Sequence, residues 1–344
     1  MNILVTGGAG FIGSHCCVQL IDDGYDVTVI DNLSNSSIQT IKNIELITGK
    51  KIKFFEMDLL DEERINKLFL SNKFDAVMHF AGSKSVSESV DFPLKYFFNN
   101  VYSSILLGRM MEKYNVKNLI FSSSATVYGE PSSVPISESF PLNSLNPYAT
   151  SKIKIEKYLR KISADSSKWR IVILRYFNPI GAHKSGLLGD NPNDKPNNLM
   201  PFILKVAAKE EEYLEVYGND YETEDGTGVR DYIHVSDLSD AHVSSLGYLF
   251  SAENDSGFCR SINIGTGIGY SVLEIIETFK KINNIDIPYK IVNKRPGDVS
   301  QSFTDTQLSR KILQWRAKKD LNDMCKDSWE WKKAEIKRIK YNEY

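Results

Sequence analysis

The 344-residue chain balances 42 Lys and Arg against 44 Asp and Glu, so a net charge of −2 offers no field that would draw in nucleic acid or an anionic membrane, and any polyanion it binds must meet a local site. At 42% hydrophobic and 25% charged residues the composition is that of a globular protein, long enough for one large domain or two closely joined ones. No apolar run approaches the ~20 residues of a membrane span, no signal peptide is expected at the N-terminus, and four cysteines without C-x-x-C spacing, two of them adjacent, point to a reducing cytoplasm.

In chain order, short apolar or β-branched runs too brief for helices predict strands at residues 3–6, 27–30, 52–55, 76–80, 119–122 and 171–176. Between them, as at 61–70 and 148–162, apolar residues recur three or four apart and predict amphipathic helices. Six such units predict an α/β fold, a Rossmann-type doubly wound parallel sheet over residues 1–178. A Gly/Pro/Asn-rich stretch, 179–201, is longer than an ordinary loop and so predicted to be functional. The remainder of 179–344, with shorter strands at 215–217, 261–264 and 289–292, is predicted as a smaller C-terminal α/β substrate domain. The five histidines show no metal-binding spacing, and no metal is expected.

The first predicted strand runs into Gly7, Gly10 and Gly13 at spacing G-x-x-G-x-x-G, followed by a helical pattern. Glycines permit φ > 0 and let the N–H groups at a helix start approach a pyrophosphate without an intervening Cβ. A tight turn without a ligand is the alternative. The second strand ends in Asp31, where a carboxylate would accept hydrogen bonds from a ribose and repel a 2′-phosphate, so NAD is expected over NADP. A helix-capping Asp is the plainer possibility.

Further along, Tyr148 and Lys152 form a Y-x-x-x-K that lies on one helical face after Pro147. A phenol works as a base near neutral pH only if positive charge supports the phenolate. Among 17 tyrosines that spacing alone is weak. Its place after the fifth strand, whose end offers Ser124 to the same substrate hydroxyl, gives it weight against a surface Tyr and Lys.

Together with the strings at 80–82, 88–90, 121–129, 174–179, 197–201 and 225–235, these motifs resemble the extended short-chain dehydrogenases/reductases, in particular the UDP-glucose and UDP-N-acetylglucosamine 4-epimerases, over nearly the whole chain. The resemblance implies a homodimer, NAD as cofactor and a UDP-sugar as substrate. It puts Phe11 and Ile12 on the pyrophosphate, and Asp31, Asn32, Leu33, Ser34, Asn35 and Ser36 around the adenosine ribose. Asp58 and Leu59 fall at the adenine, with Phe80, Ala81, Gly82, Ser83, Lys84, Asn99 and Phe177 along the nicotinamide half. For the nucleotide sugar it implies Asn178, Asn198 and Leu199 at sugar and diphosphate, and Glu215, Val216 and Tyr217 beside the uracil. Arg230 and Arg295 would meet the diphosphate and Asp298 a ribose hydroxyl. Tyr148 would act as base, Ser124 would support O4, and Lys152 would hold the nicotinamide ribose and lower the tyrosine pKa.

Two stretches depart from the family pattern in informative ways. Ser83, Ser85 and Ser87 stand where relatives often carry Leu, Ala and Gly, and Ser302 stands where relatives restricted to glucose and galactose carry a bulky Tyr. A small residue at 302 leaves room for a 2-acetamido group unless Gln301 or the loop near Lys84 fills it. Two other readings remain: a 4,6-dehydratase, disfavoured by Ala125 and Thr126 after the strand-five serine, and a non-catalytic NAD-sensing regulator, disfavoured because Tyr148 and Lys152 are both retained.

Overall fold

The computed structural model describes residues 1–166, 168–191, 198–251, 256–295 and 297–341. Its first half alternates strands and helices: β1 (Asn2–Thr6), α1 (Phe11–Asp22), β2 (Asp26–Asp31), α2 (Ile38–Thr48), β3 (Lys53–Glu56), α3 (Glu62–Ser71) and β4 (Ala76–His79). Two short helices, α4 (Val86–Asp91) and α5 (Pro93–Tyr96), lead through a π-helical turn at Phe97–Tyr102 into α6 (Ser103–Lys113). Then come β5 (Asn118–Ser124), α7 (Pro147–Asp165) and β6 (Arg170–Tyr176). Local chemistry sets the boundaries. Asp61 caps α3 through Arg64 N–H, Asn146 caps α7 through Ala149 N–H with Pro147 at the first position, and α2 stops at Gly49 in the left-handed region.

These six strands are parallel, in the places the sequence predicts. The sheet has a seventh. Its order is β10-β6-β5-β4-β1-β2-β3, and β10 (Phe258–Ile264) pairs parallel with β6, Ile262 opposite Leu174. Residues 261–264 were expected in the smaller unit. They join the main sheet because β6 otherwise presents an unpaired edge, which a distant strand buried from Ser261 to Ile264 covers. The helix before it, α9 (Val235–Phe250), packs on α1, and Leu238, Ala241, Leu246 and Leu249 enter the same core as Val5, Val29 and Leu174. A line drawn between 178 and 179 is thus crossed by β10 and α9.

The rest of the C-terminal half forms two small sheets. β7 (Asn178–Ile180), β9 (Val229–His234), β11 (Gly269–Ser271) and β13 (Gln301–Ser302) make one, and β8 (Leu214–Tyr217) with β12 (Tyr289–Val292) the other. Their core, with Ile203, Val216, Ile276, Phe279, Met324 and Trp331, lies under α8 (Leu199–Ala207), α10 (Val272–Asn283) and α12 (Leu321–Tyr341), while α11 (Gln307–Leu313) returns to α9 and β10. The strand order reverses between β1 and β4, so a crevice opens at their C-terminal ends, where ligands of open α/β sheets bind. Among the described residues no helix is long and apolar enough to cross a membrane.

Candidate active site in the crevice of the sheet

The glycine turn joins β1 to α1. Gly7 has φ +71°, and a Cβ there would sit 2.6 Å from the Ala81 nitrogen, while a Cβ on Gly13 would collide with the Gly7 carbonyl oxygen. Gly10 begins α1 without any side-chain cap, so the first-turn N–H groups, those of Phe11 and Ile12 among them, have no capping side chain. A cradle that side chains would fill, opening on uncapped N–H groups, fits a dinucleotide pyrophosphate. Asp31 braces it: its carboxylate accepts from Ala9 N–H at 3.0 Å, Leu33 N–H at 2.9 Å and the Ser36 hydroxyl at 2.9 Å. The loop continues through Asn32, Ser34 and Asn35 at the surface, and Asn32 donates to Asp58 at 2.8 Å. Leu59 is a core residue, so only its main chain can reach an adenine.

The loop after β4 forms the opposite wall. Phe80 and Ala81 N–H both bond the Thr6 carbonyl, Phe80 packs on the His242 ring at 4.8 Å, and Gly82 has φ +149°. Ser83 is held by a residue not foreseen from the sequence, Asn100. Its Oδ1 accepts Ser83 N–H at 2.7 Å, and its Nδ2 donates to the Ser83 carbonyl and to the Ser151 hydroxyl, both at 3.0 Å. The π-helical turn places it, a local distortion frequent at functional sites. Asn99 donates to the Ser83 hydroxyl, Lys84 pairs with Asp190 at 3.1 Å, and Ser85 caps α4. The unusual serines therefore have local partners. Phe177 is buried against Val127, Tyr128 and Ile153.

Tyr148, Ser124 and Lys152 converge where α7 crosses the end of β5. All three are buried, the Ser124 hydroxyl accepts from the Thr126 hydroxyl at 2.9 Å, and Lys152 Nζ donates to the Ser122 carbonyl at 2.8 Å and lies 5.9 Å from the Tyr148 ring centre. Tyr96 stands edge-on to Tyr148 and donates to Glu88, itself paired with Lys95. Burial pushes the Tyr148 phenol up from its ordinary value, with Ser124 opposing, and pulls Lys152 down to about 8, with Glu156 opposing. The sequence led to the expectation of a tyrosine lowered by Lys152. In the protein alone desolvation outweighs that pull, and the ammonium is committed to Ser122.

The residues expected at the nucleotide sugar divide. Arg295 donates to Asp298 at 2.9 Å and stacks on Tyr217 at 4.6 Å, and Tyr217 donates to Glu215. Arg230 donates to the carbonyls of Val229 and Ser300 and feels the charges of Asp298 and Arg295. Val216 does not join them. Strand alternation turns its side chain into the core, leaving Glu215 and Tyr217 outward. Ser302 is in register with Arg230, on the same face of the small sheet. Asn178 is exposed on β7, and Asn198 precedes Leu199 at the start of α8. Asn197 lies outside the described residues.

A glycine cradle at the switch point of a parallel sheet, with buried Ser, Tyr and Lys beside it, defines a dinucleotide-dependent enzyme of the short-chain dehydrogenase/reductase type. The chain belongs to the NAD dependent epimerase/dehydratase family, whose model matches residues 3–265. It is 48% identical to the UDP-glucose 4-epimerase of Bacillus subtilis over 340 residues, 99% of either chain. Among solved structures, UDP-glucose 4-epimerase from Bifidobacterium longum in complex with NAD+ and UDP superposes with a TM-score of 0.93 at 46% identity, covering 98% of this chain and 99% of that one. The UDP-Glc/GlcNAc 4-epimerase of Campylobacter jejuni superposes at 0.83 with 38% identity, covering 97% and 99%.

Three histidines around this crevice are buried and neutral: burial lowers His15 and His79 to about 3 and His242 to about 4. The unfolded chain takes up their protons near 6.5, so their contribution is present above that pH and lost as pH falls towards 4. Asp231, raised by burial to about 6, and Glu138, also raised by burial, work in the opposite direction, against these three and His183, which burial also lowers. Denaturant unfolding at pH 7 and pH 5 should therefore show roughly 3 kcal/mol or more of stability lost at the lower pH. Equal midpoints would mean that these histidines can be protonated in the folded state.

Proposed function

We propose that the protein is a UDP-hexose 4-epimerase that retains NAD and interconverts UDP-glucose with UDP-galactose and, through the space at Ser302, UDP-N-acetylglucosamine with UDP-N-acetylgalactosamine. The convergence of Tyr148, Ser124 and Lys152 on the crevice beside the glycine cradle carries this reading. Gly7, Gly10 and Gly13 would admit the pyrophosphate to the first-turn N–H groups of α1, and Asp31 would meet the ribose once its loop adjusts. Bound NAD supplies a reversible hydride acceptor for the sugar C4.

The remaining steps belong to the side chains. Tyr148 takes the proton of the 4-hydroxyl, and Ser124 hydrogen-bonds O4 as it becomes a carbonyl. The Lys152 ammonium supports the phenolate, a role that needs it charged although burial favours the neutral amine. Arg230 and Arg295 would grip the diphosphate and leave the 4-keto sugar free to rotate, so that reduction from the other face, with Tyr148 returning its proton, gives the epimer. Four free thiols support a reducing, cytoplasmic setting. A homodimer is supported by Val90, Phe92, Leu94, Phe97 and Phe98, all exposed on the short helical turns before α6.

Tyr148→Phe removes the base without touching the cradle. It should cost on the order of 10²-fold or more in turnover while NAD released on denaturation stays at the parent level. Near-parent turnover would remove Tyr148 from the mechanism.

For the acetamido sugars, Gln301 reaches the Glu222 carbonyl and Lys84 reaches Asp190, so neither side chain is committed to the space beside Ser302. Ser302→Tyr should lower kcat/KM at least about tenfold for the acetamido pair, about 1.4 kcal/mol, and spare UDP-glucose. Equal losses on both pairs would exclude a gate at this position.

Sedimentation equilibrium of the purified protein should give twice the chain mass, and Phe98→Glu should shift it towards the monomer. A monomeric parent at micromolar concentration would leave the exposed helical turns to some other use.

A further inference from the structure

Glu156 is a fully buried carboxylate that the steps above do not use. It lies on α7 one turn beyond Lys152 and two beyond Tyr148, on the same face. Its Oε1 accepts from the Ser123 hydroxyl at 2.7 Å and from Arg175 Nε at 3.0 Å, and its Oε2 from Arg175 Nη2 at 2.6 Å. Arg175, on β6, also donates to the Tyr128 hydroxyl at 2.9 Å, which donates to Asn263 at 2.6 Å. Stability is a weak reason to bury such a pair, since desolvating two charges offsets most of their attraction.

Placement gives a better one. Ser123 lies between Ser122, whose carbonyl receives Lys152, and Ser124, which opposes the rise of the Tyr148 phenol. Two successive turns of α7 thus hold the two residues before Ser124.

We propose that Glu156 is a positioning residue for the epimerase reaction: from one helical turn away its carboxylate faces the Lys152 ammonium seated on Ser122 and, through Ser123, fixes the strand end that presents Ser124. The proposal rests on the function proposed above. The groups around Lys152 leave the task to this acid. From β4 comes His79, neutral through burial. From β5 come the Ser122 carbonyl and the Phe121 ring, and from α7 itself Tyr148 and Glu156. Arg175 on β6 is engaged by Glu156, Tyr176 on the same strand is kept neutral by burial, and Asn100 and Ser104, which bond Ser151 and His79, do not titrate. Glu156 acts on Lys152 against desolvation, so without its charge Lys152 gives up its proton at lower pH.

The test is the pH dependence of kcat and KM for UDP-glucose in the NAD-loaded parent, Glu156→Gln and Glu156→Asp. The Gln variant should bring the alkaline limb of kcat down by about one pH unit, a tenfold change in the charged-to-neutral ratio of Lys152, with KM within about twofold of the parent. Asp should restore the limb. Glu156→Gln alone leaves Arg175 buried and uncompensated, so the neutral pair Glu156→Gln with Arg175→Gln is measured in the same way. An unmoved limb in a folded Gln variant overturns the proposal. So does collapse of both Gln variants while Glu156→Asp is stable and matches the parent, which assigns Glu156 to folding alone. Titration of the Lys152 side chain, followed by nuclear magnetic resonance of ¹³C-labelled lysine and assigned with Lys152→Ala, needs no substrate. Its midpoint should fall in the Gln variants, and an unchanged midpoint overturns the proposal even if UDP-glucose proves not to be epimerised.

Discussion

The docking of α7 across the end of β5 is the contact on which the rest of the molecule depends. A helix face repeats every turn and a strand offers one carbonyl and one side chain per residue, so Tyr148, Lys152 and Glu156 can each meet one of Ser124, Ser122 and Ser123. The pairing places a phenol, an ammonium and a carboxylate in an interior where the two charged groups would be costly alone and are tolerated because both are bonded. Pro147 and the Asn146 cap fix where the helix begins, and so which residues fall on that face.

This interior also sets the acid–base balance. Desolvation makes the phenol harder to ionise and the ammonium easier to discharge, the reverse of what a tyrosine base requires. In the proposed mechanism charge must therefore be brought to the pair, by Glu156 acting on Lys152 within the chain and by the positive cofactor ring. The site is formed by the fold, but its protonation states are completed by what binds there.

The two small sheets answer a different need. A diphosphate in a protein of net charge −2 requires local cations, and Arg230 on β9 and Arg295 after β12 feel one another's charge although 65 residues separate them in the chain. Asp231, beside Arg230, accepts hydrogen bonds from Thr266, Gly267 and Thr304 and so ties the loop after β10 to that sheet. Seventh strand, α9 and this carboxylate make the two halves of the chain one structure.

Wherever a position is fixed by local rules, the sequence alone was enough. The six strands are continuous apolar runs, the glycines are required by φ and by close approach at Gly7, and the Y-x-x-x-K spacing is that of one helical turn. What depends on pairing between distant segments was decided by tertiary structure. β10 covers the edge of β6, Val216 turns inward because strand alternation gives its neighbours the surface, and Asn100 reaches Ser83 through a π-helical turn that leaves no mark in the pattern of apolar residues. Glu156 reads in sequence as one more charged helix residue. Only the fold, by setting Arg175 of the next strand against it and removing water from both, brings it to the strand end beside Ser124.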